Sequence, residues 1–196
     1  MPLGEAMFTQ RAIRRFKPDP IPTEDVQLIL EAAVRAPNGG NLQPARFLVV
    51  SDREMIRDFG ALYRDAWWAK RHDEGFREFE DLPRGFHPAA GLADAMGEVP
   101  CIVLALAVHH GPPDSVIPAV QNLMLAARAL GIGSVPTTLH PSVMERFHRM
   151  FGIPDDVGFH FCVPLGYPQG NFGPNVRKPI SETSFLDRWD APGPWR

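Results

Sequence analysis

Residues 36–44, Ala-Pro-Asn-Gly-Gly-Asn-Leu-Gln-Pro, constrain this chain more than any other stretch. An amphipathic segment runs into them, and a short apolar run at 47–50 leads out. The residue before a proline is pushed out of the α region, so the incoming helix should stop at Ala36. Gly39 and Gly40 permit conformations and close approaches that a Cβ forbids. Asn38, Asn41 and Gln43 bring side-chain donors and acceptors to the same few residues. A loop held between a rigid helix and a rigid strand is a favoured place for binding groups. Turn formers are also common at such junctions, so the stretch reads equally as a connector. The segment upstream tips the balance towards binding. Residues 11–17, Arg-Ala-Ile-Arg-Arg-Phe-Lys, carry four cations in seven residues before Pro18 and Pro20 end any helix. They form either a solvated basic turn or a socket for an anion such as phosphate, which arginine forks grip at two points.

The chain has 196 residues, 44% of them hydrophobic, which fits one domain spanning 1–196 with a real core. A net charge of −3 gives no reason to expect nucleic acid as a partner. No apolar run approaches the ~20 residues of a membrane span, so no membrane association is expected. The N-terminus has no basic segment followed by an apolar run, and a cytoplasmic location is the expectation. Cys101 and Cys162 sit in strand-like apolar runs and read as buried free thiols. His109 and His110 are adjacent, and His140, His148 and His160 lie at no ligand spacing, so no metal is expected.

Thr23 can cap a helix whose first turn is Glu24-Asp25, with Val26, Ile29, Leu30, Ala33 and Val34 in one apolar stripe. Ser51-Asp52 caps a second helix over about residues 53–71, with Ile56, Phe59, Leu62 and Tyr63 on one face. Residues 72–97 are charged, with scattered aromatics, and are interrupted by Pro83, Gly85, Pro88 and Gly91. They read as a lid or mobile segment in which Phe76, Phe79 and Phe86 cover a ligand, or as a surface excursion with a short helix near 92–96. Residues 99–108 read as a fully buried strand. Pro118 opens a helix that Gly131 stops. The Gly131-Ile132-Gly133 that follows lacks a third glycine and comes after a helix, so the dinucleotide fingerprint is not supported. A helix over 143–151 and a strand over 159–165 follow. In the tail, residues 180–196, Phe185, Trp189 and Trp195 need a surface, which suggests a wrap onto a partner subunit.

Arg-Ala-Ile-Arg-Arg-Phe with the later Pro-Ile-Pro, the 36–44 loop, Gly-Ile-Gly-Ser-Val-Pro at 131–136, and Gly-Tyr-Pro at 166–168 with Arg-Lys-Pro at 177–179 occur in this order. Together they resemble the FMN-dependent nitroreductase family over about residues 8–190. The resemblance implies an α+β fold, a small, mainly antiparallel sheet flanked by helices. It implies a homodimer with extended termini and two FMN molecules at the interface. Arg11 and Arg177 match positions that bind the FMN phosphate, and Arg14 matches the cation beside flavin N1 and O2. Pro37, Asn38, Gly39 and Asn41 match the loop lining the flavin ring, from the other subunit. Thr137, Thr138 and Leu139 match the segment facing flavin N5 and O4. Gln10 replaces a usual arginine, Ala12 a serine often used on phosphate, and Asn175 a frequent cation. Ala45 stands where tryptophan is common, and Thr137-Thr138 replaces a frequent Gly-Gly.

The implied activity is ping-pong hydride transfer from NAD(P)H through flavin N5 to an electron-poor small molecule such as a nitroaromatic or quinone. The cofactor carries this chemistry, so no side-chain nucleophile or general base is required. Two alternatives share the fold. One is an enzyme with a specialised substrate (dehalogenating, flavin-cleaving or deazaflavin-linked), and the other a flavin-binding protein without useful turnover.

Overall fold

The computed structural model describes residues 1–195, and His110 without its side chain. Arg196, the last residue of the expected tail, lies outside the described residues, as does any reading of the His110 side chain. The centre is a four-stranded antiparallel sheet in the order β1-β2-β4-β3. Its strands are β1 (Ala45–Val50), β2 (Cys101–Ala107), β3 (Gly133–Ser134) and β4 (Gly158–Gly166). Every residue of β2, Cys-Ile-Val-Leu-Ala-Leu-Ala, is buried. Successive side chains alternate between faces, so one continuous apolar run feeds two cores. Ile102, Leu104 and Leu106 enter one, and Cys101, Val103, Ala105 and Ala107 enter the other.

Helices cover both faces. The first core takes Ile56, Phe59, Leu62, Tyr63 and Trp67 from α3 (Arg53–Asp73). It also takes Leu92 from α4 (His87–Ala95) and Phe147 from α6 (Met144–Phe151). The second takes Ile29 and Ala33 from α2 (Thr23–Val34), and Val120, Leu123 and Ala127 from α5 (Ile117–Ala129). The architecture is the expected α+β one. Asp52 caps α3 as expected, its Oδ1 accepting from the backbone N–H groups of Glu54 (3.1 Å) and Met55 (2.9 Å). Thr23 does not cap α2. Pro22, with φ −55° and ψ 140°, makes the extended-to-helix transition, so Thr23 is the first helical residue. A short α1 (Leu3–Thr9) precedes the arginine-rich stretch.

The stretch 72–97 divides in two. Its second half is α4 and a 3-10 turn at Met96–Glu98, and both belong to the core: Ala90, Leu92, Ala93 and Met96 are buried. The turn lies against α3 at backbone contact, and a Cβ on Gly60 would stand 2.4 Å from the Gly97 nitrogen. The first half keeps only 3-10 turns at Phe79–Asp81 and Arg84–Phe86. The tail partly folds on itself. Trp195 Nε1 donates to the Ser184 carbonyl (2.9 Å), and the Phe185 and Trp189 rings lie 4.9 Å apart. Trp189 is nevertheless 83% exposed.

A methyl at position 60 has no room, because its neighbour is backbone and cannot rotate away. Gly60→Ala should therefore cost ~2 kcal/mol or more, as overpacked sites do. Thermal unfolding by circular dichroism should show a fall of roughly 4–8 °C for that cost.

Candidate functional site

Two polar regions meet the rim of the sheet, at diagonally opposite corners. At the first corner the chain's two ends converge. Ala12 bridges Ser134 in parallel, and Ile13 N–H donates to the Ser134 carbonyl (3.0 Å), which adds an edge outside β3. Asn175 N–H donates to the Phe8 carbonyl (3.0 Å), and its side chain donates to the Met7 carbonyl (3.0 Å). Arg128, a buried cation of α5, donates through Nε to Thr9 Oγ1 (2.8 Å) and lies 4.1 Å from the Phe172 ring centre. These contacts set Arg11 beside Gly173, with guanidinium Nη1 3.6 Å from where a Cβ there would lie. The cationic stretches of both termini, Arg11 and Arg14 in one and Arg177 in the other, are thereby tied to the same corner. None of the three is in an ion pair among the described residues. Arg14 also lines a cleft of about 240 Å³ beside α4, with His87, Gly91 and Glu98.

The replaced positions have structural jobs here. Gln10 Nε2 reaches Met124 Sδ at 3.7 Å, Ala12 is part of the bridge to Ser134, and Asn175 ties the tail to α1.

The second corner is the loop before β1. Gly39–Asn41 is a 3-10 turn, and Gly40, Asn41 and Gln43 all take positive φ, at 56°, 55° and 50°. Only glycine adopts that region freely, and asparagine tolerates it better than glutamine does. Asn38 holds the strained backbone, its Oδ1 accepting from the Gln43 N–H at 2.8 Å. The Gly39 N–H donates to Ser115 Oγ at 3.3 Å. The Asn38 side chain is thus spent on its own loop, while Pro37, Gly39 and Asn41 are exposed.

Sheet register gives the separation. The loop joins β1 at Ala45, opposite Ala107. Ala12 joins the far edge in the row of Ser134, Leu165 and Cys101. Six residues along β2 and four strand spacings across put these points roughly 25 Å apart. Loop and cationic corner do not converge within one chain.

Residues 137–140 run beside the cationic corner, and α3 lies along them. Tyr63 stands against Thr137 and Cys162, with Arg14 and Arg71 in electrostatic range. Lys70 Nζ donates to Thr138 Oγ1 at 3.1 Å, and Asp73 Oδ2 meets His140 Nε2 at 2.9 Å. Tyr63, Lys70 and Asp73 therefore form one seam at helical spacing. Thr137 exchanges two backbone hydrogen bonds with Cys162, at 2.9 and 2.8 Å. Its side-chain oxygen is close enough to Tyr63 and Cys162 to oppose part of the burial effect on both. Yet that oxygen has no well-formed hydrogen bond, and it and Arg71 Nε are the buried side-chain polar atoms left without a partner among the described residues. Leu139 is buried in the first core. Burial pushes the Cys162 thiol up to about 12 and Cys101 up to about 11, so neither is a thiolate near neutral pH. Among the described residues no group of three or more His, Cys, Asp or Glu side chains is placed to hold a metal ion.

Residues 8–167 match the family model described as the nitroreductase family. This chain belongs to the nitroreductase family. It is 30% identical to the NADH dehydrogenase of Thermus thermophilus, a match covering 89% of this chain and 91% of that protein. It is also 30% identical to the iodotyrosine deiodinase of Thermotoga neapolitana, covering 81% of this chain and 84% of the other. A crystal structure of oxidized iodotyrosine deiodinase bound to FMN and 3-iodo-L-tyrosine superposes with a TM-score of 0.76 at 26% identity. That match covers 97% of this chain and 100% of the other.

Sequence reading missed Tyr63, Lys70 and Arg71 as neighbours of the 137–140 segment. The spacing Tyr63, Trp67, Arg71 along one helix was a signal, since it carries an arginine into an apolar stripe.

Burial is the main cause that raises the Tyr63 phenol, with Cys162 adding to it, while Thr137, Arg14 and Arg71 only partly oppose them. The unfolded phenol ionises near pH 10, so folding gains stability from protonated Tyr63 below roughly that pH and loses it as pH rises beyond. Melting temperatures between roughly pH 9.5 and 11 should fall more steeply for the wild type than for Tyr63→Phe.

Proposed function

We propose that this protein reduces an electron-poor small molecule in a ping-pong cycle, with NAD(P)H as reductant and two sites shared across a homodimer. It is an FMN-dependent oxidoreductase. The carrying observation is the separation of the two corners. The N-terminal segment that carries Arg11 and Arg14 joins the sheet roughly 25 Å from where the 36–44 loop enters it, so each is read as half of a site that a second copy completes.

The donor set suits FMN. Arg11 and Arg177 offer guanidinium forks to a phosphate, and among the described residues neither has a carboxylate to give up first. Arg14, beside Tyr63 on the same corner, would stabilise negative charge at flavin N1 and O2. The buried, unpaired Thr137 hydroxyl is a polar atom waiting for a partner at the segment assigned to N5 and O4. Since the Thr137 N–H is already spent on Cys162, that residue reaches a ligand through its side chain, and backbone contacts fall to Thr138 and Leu139. Pro37, Gly39 and Asn41 would form the opposite wall for the other subunit's ring, with Asn38 keeping the loop in shape. The chemistry supplied by a bound FMN would be acceptance of a hydride from the nicotinamide and passage of its electrons to the acceptor. The chain's own tasks are to grip the phosphate, balance charge and keep the two substrates in one place by turns.

A specialised dehalogenating activity is the second reading. It is favoured by the iodotyrosine deiodinase relative. Iodide release from 3-iodotyrosine by the reduced protein would distinguish it, while nitroaromatic or quinone turnover without iodide supports the first.

The purified protein should show flavin absorbance between 300 and 600 nm that survives removal of excess FMN. Arg11→Ala and Gly39→Val homodimers should each lose most activity, the first through FMN affinity and the second by blocking the ring. Co-expressed, they should recover about a quarter of wild-type activity, because half the dimers are mixed and each carries one intact site. No recovery would place each site within one chain.

A further inference from the structure

We propose that Lys70 selects the acceptor, and that the acceptor is an aromatic compound carrying a negative charge such as a carboxylate. This rests on the reading that residues 137–139 stand at the reacting edge. Lys70 is the one member of the α3 seam whose charge is uncompensated. The acidic residues within a turn of it are both engaged, Asp73 with His140 at 2.9 Å and Glu74 with Arg71 at 2.9 Å. Lys70 has no carboxylate partner among the described residues. An ammonium has three donors, and Thr138 Oγ1 takes one of them at 3.1 Å. The other two remain for a ligand lying over Thr138. Because Thr138 Oγ1 accepts from a cation, its own hydrogen is left to donate outward, with its polarity strengthened.

Aromatic character comes from the neighbouring turn. Arg71 is only 7% exposed, its guanidinium 5.2 Å from the Trp67 ring centre and 4.6 Å from that of Phe86. Phe86 in turn stacks edge-on with Phe76 at 6.0 Å. Among the described residues Arg71 Nε has no acceptor in spite of its burial, and Thr137 Oγ1 is likewise unpaired. Thr137 lies against Tyr63, and Arg71 lies in electrostatic range of it along α3. The exposed ammonium of Lys70 stands one residue along α3 from this ring cluster, and the two together favour an aromatic anion over a neutral or cationic acceptor.

The test compares 4-nitrobenzoate with its neutral analogue 4-nitrobenzamide, using wild type, Lys70→Met and Lys70→Arg. Binding is read by calorimetry on the oxidised protein, and turnover by kcat/KM with NAD(P)H. Wild type should prefer the benzoate by about tenfold or more, the size of one charge-assisted contact. Lys70→Met should abolish the preference through KM, and Lys70→Arg should keep most of it. Equal losses for both probes in Lys70→Met would mean that Lys70 only positions Thr138, and would overturn the proposal. So would a wild type that binds the amide as tightly as the acid. Flavin absorbance of each preparation is recorded alongside. Its absence would refute the FMN reading on its own, while calorimetry would still decide the preference of the seam.

Discussion

Everything polar in this molecule is arranged around a strand with no wet face. β2 is buried on both sides and along its full length, so neither a charge nor a ligand can sit at the middle of the sheet. Chemistry is therefore confined to the rim. The two corners differ in character because of what reaches them. One receives a loop entering β1, and the other receives the N-terminal segment laid outside β3. Burial in the centre thus gives the fold its stability and also decides that a bound ring must lie along an edge, where a second chain can cover it.

The cationic corner is held together by residues that carry no reactive group. Arg128 lies between Thr9 and Phe172, and Asn175 grips the end of α1. A buried guanidinium is costly unless its donors and faces are occupied, and here a hydroxyl and an aromatic ring occupy them. Seen this way, the residues that depart from the family pattern are not simple losses. Asn175 gives up a charge and gains two backbone carbonyls, those of Met7 and Gln10.

Much of this was legible in the sequence. Helix ends followed from local chemistry at Asp52, at the start of α3, and at the left-handed Gly131 after α5. The arginine stretch and the 36–44 loop could be singled out because charge and turn formers there exceed what a connector needs. Three features were not legible. Asn38 turns inward because three positive-φ residues follow it within five positions, and backbone strain leaves no trace in composition. Residues 87–97 look irregular, with Pro88 and Gly91 among them, yet their apolar positions find α3. The pairing of Lys70 with Thr138 spans 68 residues, a distance no local pattern encodes.

The bare backbone contact between Gly60 and Gly97 bears on how such a protein diversifies. It pins the far end of the irregular stretch to the helix from which that stretch departs, so residues 74–86 form a closed excursion with both feet fixed. Lengthening a loop whose ends stay together adds little entropic cost. A lineage can therefore rewrite the wall over Arg71 and Trp67 by insertion or deletion there, while the sheet, the cationic corner and the seam along α3 are inherited unchanged.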